Sequence, residues 1–268
     1  MRKLILCVAL ALGGCPVTNM QTDALVRDAG PPDPNASTNC RAALVLPRGT
    51  YWIGSDVPQA GGLVVNGPAF QATFSADGWV ARFESTNACY LACIEDDACG
   101  EITSPYVRDP SRTRHPVYSL QYPQAVAYCT WLGGRLLTDA EWVAMARGPS
   151  GKLLPWYPEP ADPRRPEEGP FGEPRDATDV GGRGASSPVG SHPDARGTFG
   201  HEDVIGNAPE WVRGTAIYPY PPGPHTDPVF EDPAFSRIAR YLPTSRSDGD
   251  GTARCLFTSP PDPLYVEE

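Results

Sequence analysis

Cysteine is the residue type in this chain with the most chemistry open to it. Eight occur in 268 residues, and six follow Cys15: Cys40, Cys89, Cys93, Cys99, Cys129 and Cys255. In an exported chain an even number points to three disulfides, and six cysteines allow fifteen connectivities. The competing chemistry is a metal centre on the closely spaced Cys89, Cys93 and Cys99. Thiolate centres commonly recruit histidine, but the four histidines (His115, His192, His201 and His225) all lie elsewhere in the sequence. No Ser/His/Asp order, P-loop or dinucleotide fingerprint is present.

The elements that must position these side chains are most legible between His115 and Gly148. Pro123 suits the first position of a helix, where its missing N–H costs nothing. Val126, Cys129 and Leu132 follow at helical spacing, and Gly133-Gly134 ends the segment. Thr138-Asp139-Ala140-Glu141 is a capping box that opens a second helix, with Leu137 and Trp142 placed for a hydrophobic staple. Trp142, Met145 and Ala146 form its expected buried face, and Gly148 stops it. Upstream, residues 41–55 read as a strand, a Pro-Arg-Gly turn and a second strand. Phe70 to Phe83 suggests further strands. A helix carrying Tyr90 and Ile94, with Leu91 beside them, is expected near Cys89. From Leu153 to Ser187 periodicity gives way to a Pro/Gly/charged loop.

The stretch HPVYSLQYPQAVAYCTWLGGRLLTDAEWVAMARG resembles the core signature of the formylglycine-generating enzyme (sulfatase-modifying factor) family. Ala125 to Gly133, Arg135-Leu136, Thr138, Glu141, Trp142 and Ala146 to Gly148 stand in register, with Leu137 where the family has proline. The opening VLPRGTYWIGS, the FESTNACYLAC element with Thr86, Asn87, Tyr90 and Cys93, and the segment PVGSHP…TFG…DVIGNAPEWV also match, with Pro209 where the family has tryptophan. Arg254-Cys255 sits at the closing strand. The likeness covers roughly residues 41–258 and implies an α+β, C-type-lectin-like fold with few helices and much irregular loop.

The resemblance also implies a disulfide between Cys129 and Cys255. Cys93–Cys99 would then close a small loop and leave Cys40–Cys89, with Cys89–Cys99 as the rival. Active members hold copper with two closely spaced cysteine thiolates near the carboxy terminus, soft ligands suited to Cu(I). This chain has no cysteine between Cys129 and Cys255, and the strand preceding the copper pair is unrecognisable in DPVFEDPAFSRIARYLPTSR, so no copper and no oxidase chemistry are expected. Nor is there the histidine-rich spacing of the ergothioneine-type sulfoxide synthases. The family's calcium loop maps onto Asp203, Gly206, Ala208 and Glu210, two carboxylates and two carbonyls of the hard-oxygen kind calcium prefers. The alternative is that Asp203 and Glu210 only cap the turn. Asp179 aligns too poorly to join a second site, and Trp142, Trp156 and Trp211 read as core residues.

At the amino terminus, Met1-Arg2-Lys3 and the short apolar run Leu4 to Leu12 read as an export signal, and Leu12-Gly13-Gly14-Cys15 resembles a bacterial lipobox. Residues 1–14 are therefore expected to be cleaved and Cys15 to be acylated, with 15–39 a polar tether and 40–268 the domain. No aspartate follows Cys15 directly, which points to the outer membrane. Cleavage leaves 20 basic against 32 acidic residues, a net charge of −12 that disfavours nucleic acid. The expectation is a lipid-anchored envelope protein, held to the membrane by its anchor, whose domain binds an envelope protein or glycan or serves structurally. The alternatives are a formylglycine-generating oxidase acting on protein cysteines, or its accessory subunit.

Overall fold

A computed structural model describes residues 39–56, 67–152, 154, 160–162, 186–193, 196–215, 219–232, 237–241, 244–246 and 251–266. Within them lie three α-helices, α1 (Asn87–Glu95), α2 (Tyr122–Trp131) and α3 (Asp139–Arg147), set among small sheets and irregular chain. This is the α+β arrangement expected. The signal segment, Cys15, the tether up to residue 38, Trp156, Asp179 and most of the 157–187 loop lie outside the described residues.

The strands are β1 (Ala43–Leu46), β2 (Gly49–Ile53), β3 (Phe70–Phe74), β4 (Gly78–Ala81), β5 (Arg135–Leu136), β6 (Glu210–Thr215), β7 (His225–Thr226), β8 (Arg237–Tyr241), β9 (Thr244–Arg246), β10 (Thr252–Ala253) and β11 (Cys255–Phe257). They form three sheets, ordered β1-β4-β11-β5, β10-β6-β8-β9 and β2-β3-β7. The strands on either side of the Pro47-Arg48 turn do not pair with each other. β1 runs antiparallel to β4 and β2 antiparallel to β3, so the turn carries the chain from one sheet to the next.

The capping box forms as read. The Glu141 amide donates to Thr138 Oγ1 at 3.2 Å and the Thr138 amide donates to Glu141 Oε2 at 2.7 Å. Arg135 then clamps the Glu141 carboxylate at 2.7 Å through both terminal nitrogens. α3 buries more than one face, because it threads the core: every residue except Glu141 is buried. α2 begins around Pro123, and its Gln124 side chain accepts from the Gln121 amide at 2.9 Å. Its inward face is Ala125, Tyr128 and Cys129, continued by Leu132, whereas Val126 is 38% exposed, contrary to the spacing argument. Tyr128 points inward, its ring tilted against Tyr90 of α1 at 5.8 Å, and Val126, two positions earlier on the helix, falls on the opposite side. In α1 the inward residues are Asn87, Cys89, Tyr90 and Cys93, while Leu91 and Ile94 are only partly covered.

Three disulfides bind these elements: Cys40–Cys89, Cys93–Cys99 and Cys129–Cys255. The last ties α2 to β11 across 126 residues of sequence. Cys89–Cys99 does not form. Gly134 lets β11 pass close by, since a Cβ there would lie 2.6 Å from the Leu256 carbonyl oxygen.

Candidate functional site

The loop before β6 is the place where chemistry-bearing side chains converge. It turns through left-handed backbone at Asp203, Gly206 and Asn207, with φ of 54°, 78° and 57°. These turns fold the loop onto itself and carry Asp203 and Glu210 inward. Both carboxylates are 1% exposed, as is Glu202, and Glu84 from the approach to α1 is 2% exposed. Four acidic side chains thus share one interior, which demands counter-charges or protons.

The counter-charges are arginines. Arg254, fully buried beside Cys255, grips Glu210 with Nε on Oε2 at 2.8 Å and a terminal nitrogen on Oε1 at 2.7 Å. Trp142 of α3 adds its indole N–H to Glu210 Oε2 at 2.7 Å. Glu202 receives Arg82 at 2.9 Å and Arg196 at 2.8 Å. Glu84 accepts from the Asn207 side-chain amide at 2.6 Å and the Ala208 backbone amide at 2.8 Å. Burial raises its carboxyl well above the usual range, and the Asp203 and Glu210 charges add to that rise. Asp203 accepts from the Gly190 amide at 2.6 Å through Oδ2, while Oδ1 is buried without a partner. Burial pushes Asp203 up to about 6. His201 is fully buried, with Nε2 3.3 Å from the Leu44 carbonyl oxygen, and burial with the Arg254 charge pushes it down to about 3.

Asp203, Gly206, Ala208 and Glu210 are therefore brought into one loop, with both carboxylates buried. Both oxygens of Glu210 accept from Arg254, and Oε2 also accepts from the Trp142 indole. Among the described residues, no group of three or more His, Cys, Asp or Glu is arranged to hold a metal ion. Glu210 caps nothing either; it is half of a buried ion pair. Sequence reasoning missed Glu84 and the hub role of Arg254. The available signals were a lone carboxylate just before the helix-capping Thr86 and an arginine adjoining a strand cysteine. Trp142 and Trp211 are core residues, and the Trp211 indole donates to the Leu120 carbonyl at 2.7 Å. The six cysteines of the domain are all oxidised, so none offers a thiolate.

Away from the hub, a surface cleft of about 330 Å³ opens beside β5 and the β3–β4 turn. Asp77, Arg135, Glu141, Arg213, Asp227 and Val229 line it. Asp227 is held by the amide and hydroxyl of Ser75 at 3.0 and 2.6 Å, while the exposed Arg213 projects from β6.

Comparison with known proteins places this geometry in context. The sulfatase-modifying factor enzyme 1-like domain matches residues 28–217. A formylglycine-generating enzyme of Mycobacterium tuberculosis is 39% identical over 127 residues, 43% of this chain and 40% of that protein. The inactive C-alpha-formylglycine-generating enzyme 2 of Mus musculus is 31% identical over 147 residues, 54% of this chain and 42% of that protein. The chain thus spans less than half the length of either relative. In three dimensions it is similar to PvdO from Pseudomonas aeruginosa, with a TM-score of 0.60 and 22% identity over 81% of this chain and 94% of that one, a likeness of fold.

Proposed function

Because the chain belongs to the sulfatase-modifying factor enzyme 1-like domain family, we propose that it is a lipid-anchored envelope protein whose domain works as a binding or structural module without the oxidase chemistry associated with that fold. The observation that carries this reading is the state of the cysteines. Copper chemistry of the oxidase type needs thiolates, soft ligands that other side chains do not replace. Here every cysteine of the domain is committed to a disulfide, and none lies between Cys129 and Cys255 to supply a second thiol near the carboxy terminus. The similarity both to a formylglycine-generating enzyme and to an inactive C-alpha-formylglycine-generating enzyme 2 is compatible with loss of the reaction on a retained fold, since fold alone does not carry function.

In this reading Cys15 carries the anchor, the polar segment up to residue 39 is a tether, and the outer membrane is the destination. The mixed-charge cleft around Arg213, Asp77 and Asp227 offers a partner surface of the kind an envelope protein or glycan would use, and the net negative charge speaks against nucleic acid.

The test is a thiol count joined to a copper competition. The full chain, extracted in detergent without reductant, is denatured and titrated with a thiol reagent, and its folded form competes with a chromophoric chelator for Cu(I). The expected result is no free thiol in the processed protein and no copper withdrawn from the chelator. Two free thiols in the domain, with stoichiometric copper uptake, would overturn the reading and favour the oxidase.

A further inference from the structure

Arg254 is an unusual residue to find at 0% exposure, because a buried guanidinium must find an oxygen for each of its N–H groups. It finds all of them. Its five donors meet five acceptor oxygens: Glu210 Oε2 at 2.8 Å and Oε1 at 2.7 Å, and the carbonyl oxygens of Ala81 at 3.0 Å, Arg82 at 2.8 Å and Glu202 at 2.7 Å. A bidentate carboxylate and three inward-facing carbonyls are the donor set that would otherwise serve a hard cation.

We propose that Arg254 is the resident cation of this hub and that the domain folds and keeps its stability without a divalent metal ion. A calcium ion needs six to eight oxygens at close range. A calcium ion drawing on Glu210 would share that carboxylate with the buried Arg254 guanidinium and set two cations side by side in the interior. Among the described residues, the only carboxylate oxygens buried without a hydrogen-bond partner are Asp203 Oδ1 and Glu202 Oε2, and Glu202 is already paired with two arginines. Arg254 adjoins Cys255, which is covalently tied to α2, so the guanidinium is delivered by the backbone and a disulfide rather than by a flexible surface chain.

The experiment uses the wild-type full chain, so it depends on no variant folding. Protein is dialysed against EDTA, divided, and one half is returned to millimolar CaCl2. Thermal unfolding is followed by circular dichroism, and calcium retained after buffer exchange is measured by elemental analysis. A ligand at about 100 times its dissociation constant raises the midpoint of a domain this size by several degrees. The expected result is a midpoint that moves by less than about 1 °C between the two halves, with calcium well below one per chain. A rise of several degrees in calcium, or one calcium retained per chain, would overturn the proposal.

Discussion

Replacing His201 with glutamine is expected to remove most of a distinct acid weakness in the domain. The imidazole is fully buried, with Nε2 toward the Leu44 carbonyl oxygen, and burial together with the nearby Arg254 charge pushes its pKa down to about 3 from the ordinary 6.5. The folded state therefore holds the neutral ring, while the unfolded chain takes up a proton as the pH falls below 6.5. The stability this group contributes is present above 6.5 and is lost progressively as the pH falls toward about 3. Between pH 7 and 4.5 the loss amounts to about 2–3 kcal/mol, from 1.36 kcal/mol per unit of uncompensated protonation. Asp203 works in the opposite sense. Its pKa is raised to about 6, so its contribution is present at low pH and lost as the pH rises through that value. The raw curve of the wild type sums both groups, so the informative quantity is the difference between the wild type and His201→Gln. Glutamine does not titrate and can still donate to Leu44. Urea unfolding at pH 7, 6, 5 and 4.5, with disulfides intact, should show wild type losing about 2–3 kcal/mol more than the variant. Parallel curves over that range would refute the reasoning.

Three further perturbations probe the frame. Arg254→Met strands the Glu210 carboxylate in the interior and should cost about 3–5 kcal/mol in denaturant unfolding, with a substantial part recovered when Glu210→Leu is added. Opening the Cys129–Cys255 bridge by a double alanine substitution should cost about 5 kcal/mol against about 2 for Cys93–Cys99, because the closed segments span 126 and 6 residues; equal losses in urea midpoint and slope would contradict the chain-entropy account. Thr138→Ala removes the hydroxyl that accepts the Glu141 amide and should lower stability by about 1 kcal/mol, read as a small drop in melting temperature.

What could be read from the chain depended on how far apart the interacting residues lie. The Thr138–Glu141 box spans three residues and was legible from local chemistry alone. The Cys129–Cys255 pair followed from the family resemblance, whereas Cys40, Cys89, Cys93 and Cys99 left Cys89–Cys99 open as a rival until the structure paired Cys40 with Cys89 and Cys93 with Cys99. The orientation of α2 was not legible, because Val126 and Tyr128 can each join an apolar face and the choice is made by elements distant in sequence, among them Tyr90 of α1 and the disulfide to Cys255 of β11. The pairing of β1 and β2 with different sheets was hidden for a similar reason: a Pro-Arg-Gly turn between two strands reads as a hairpin until the partners of Ala43 and Gly49, 38 and 25 residues onward at Ala81 and Phe74, are in place. The hub was the least legible part. Glu210 is a hard-oxygen donor by composition, and nothing in its neighbourhood announces that Arg254, 44 residues later, takes both of its oxygens.

The most direct measurement of the central claim is turnover. The full chain in detergent is incubated with copper, a thiol reductant, oxygen and a peptide containing Cys-x-Pro-x-Arg, and the peptide is read by mass spectrometry for conversion of its cysteine to formylglycine. A domain without a copper-holding thiolate pair should leave the peptide cysteine unconverted, at the level of the protein-free control. Conversion above that control, lost when the protein is heat-denatured, would contradict the account and require copper ligands outside those named here.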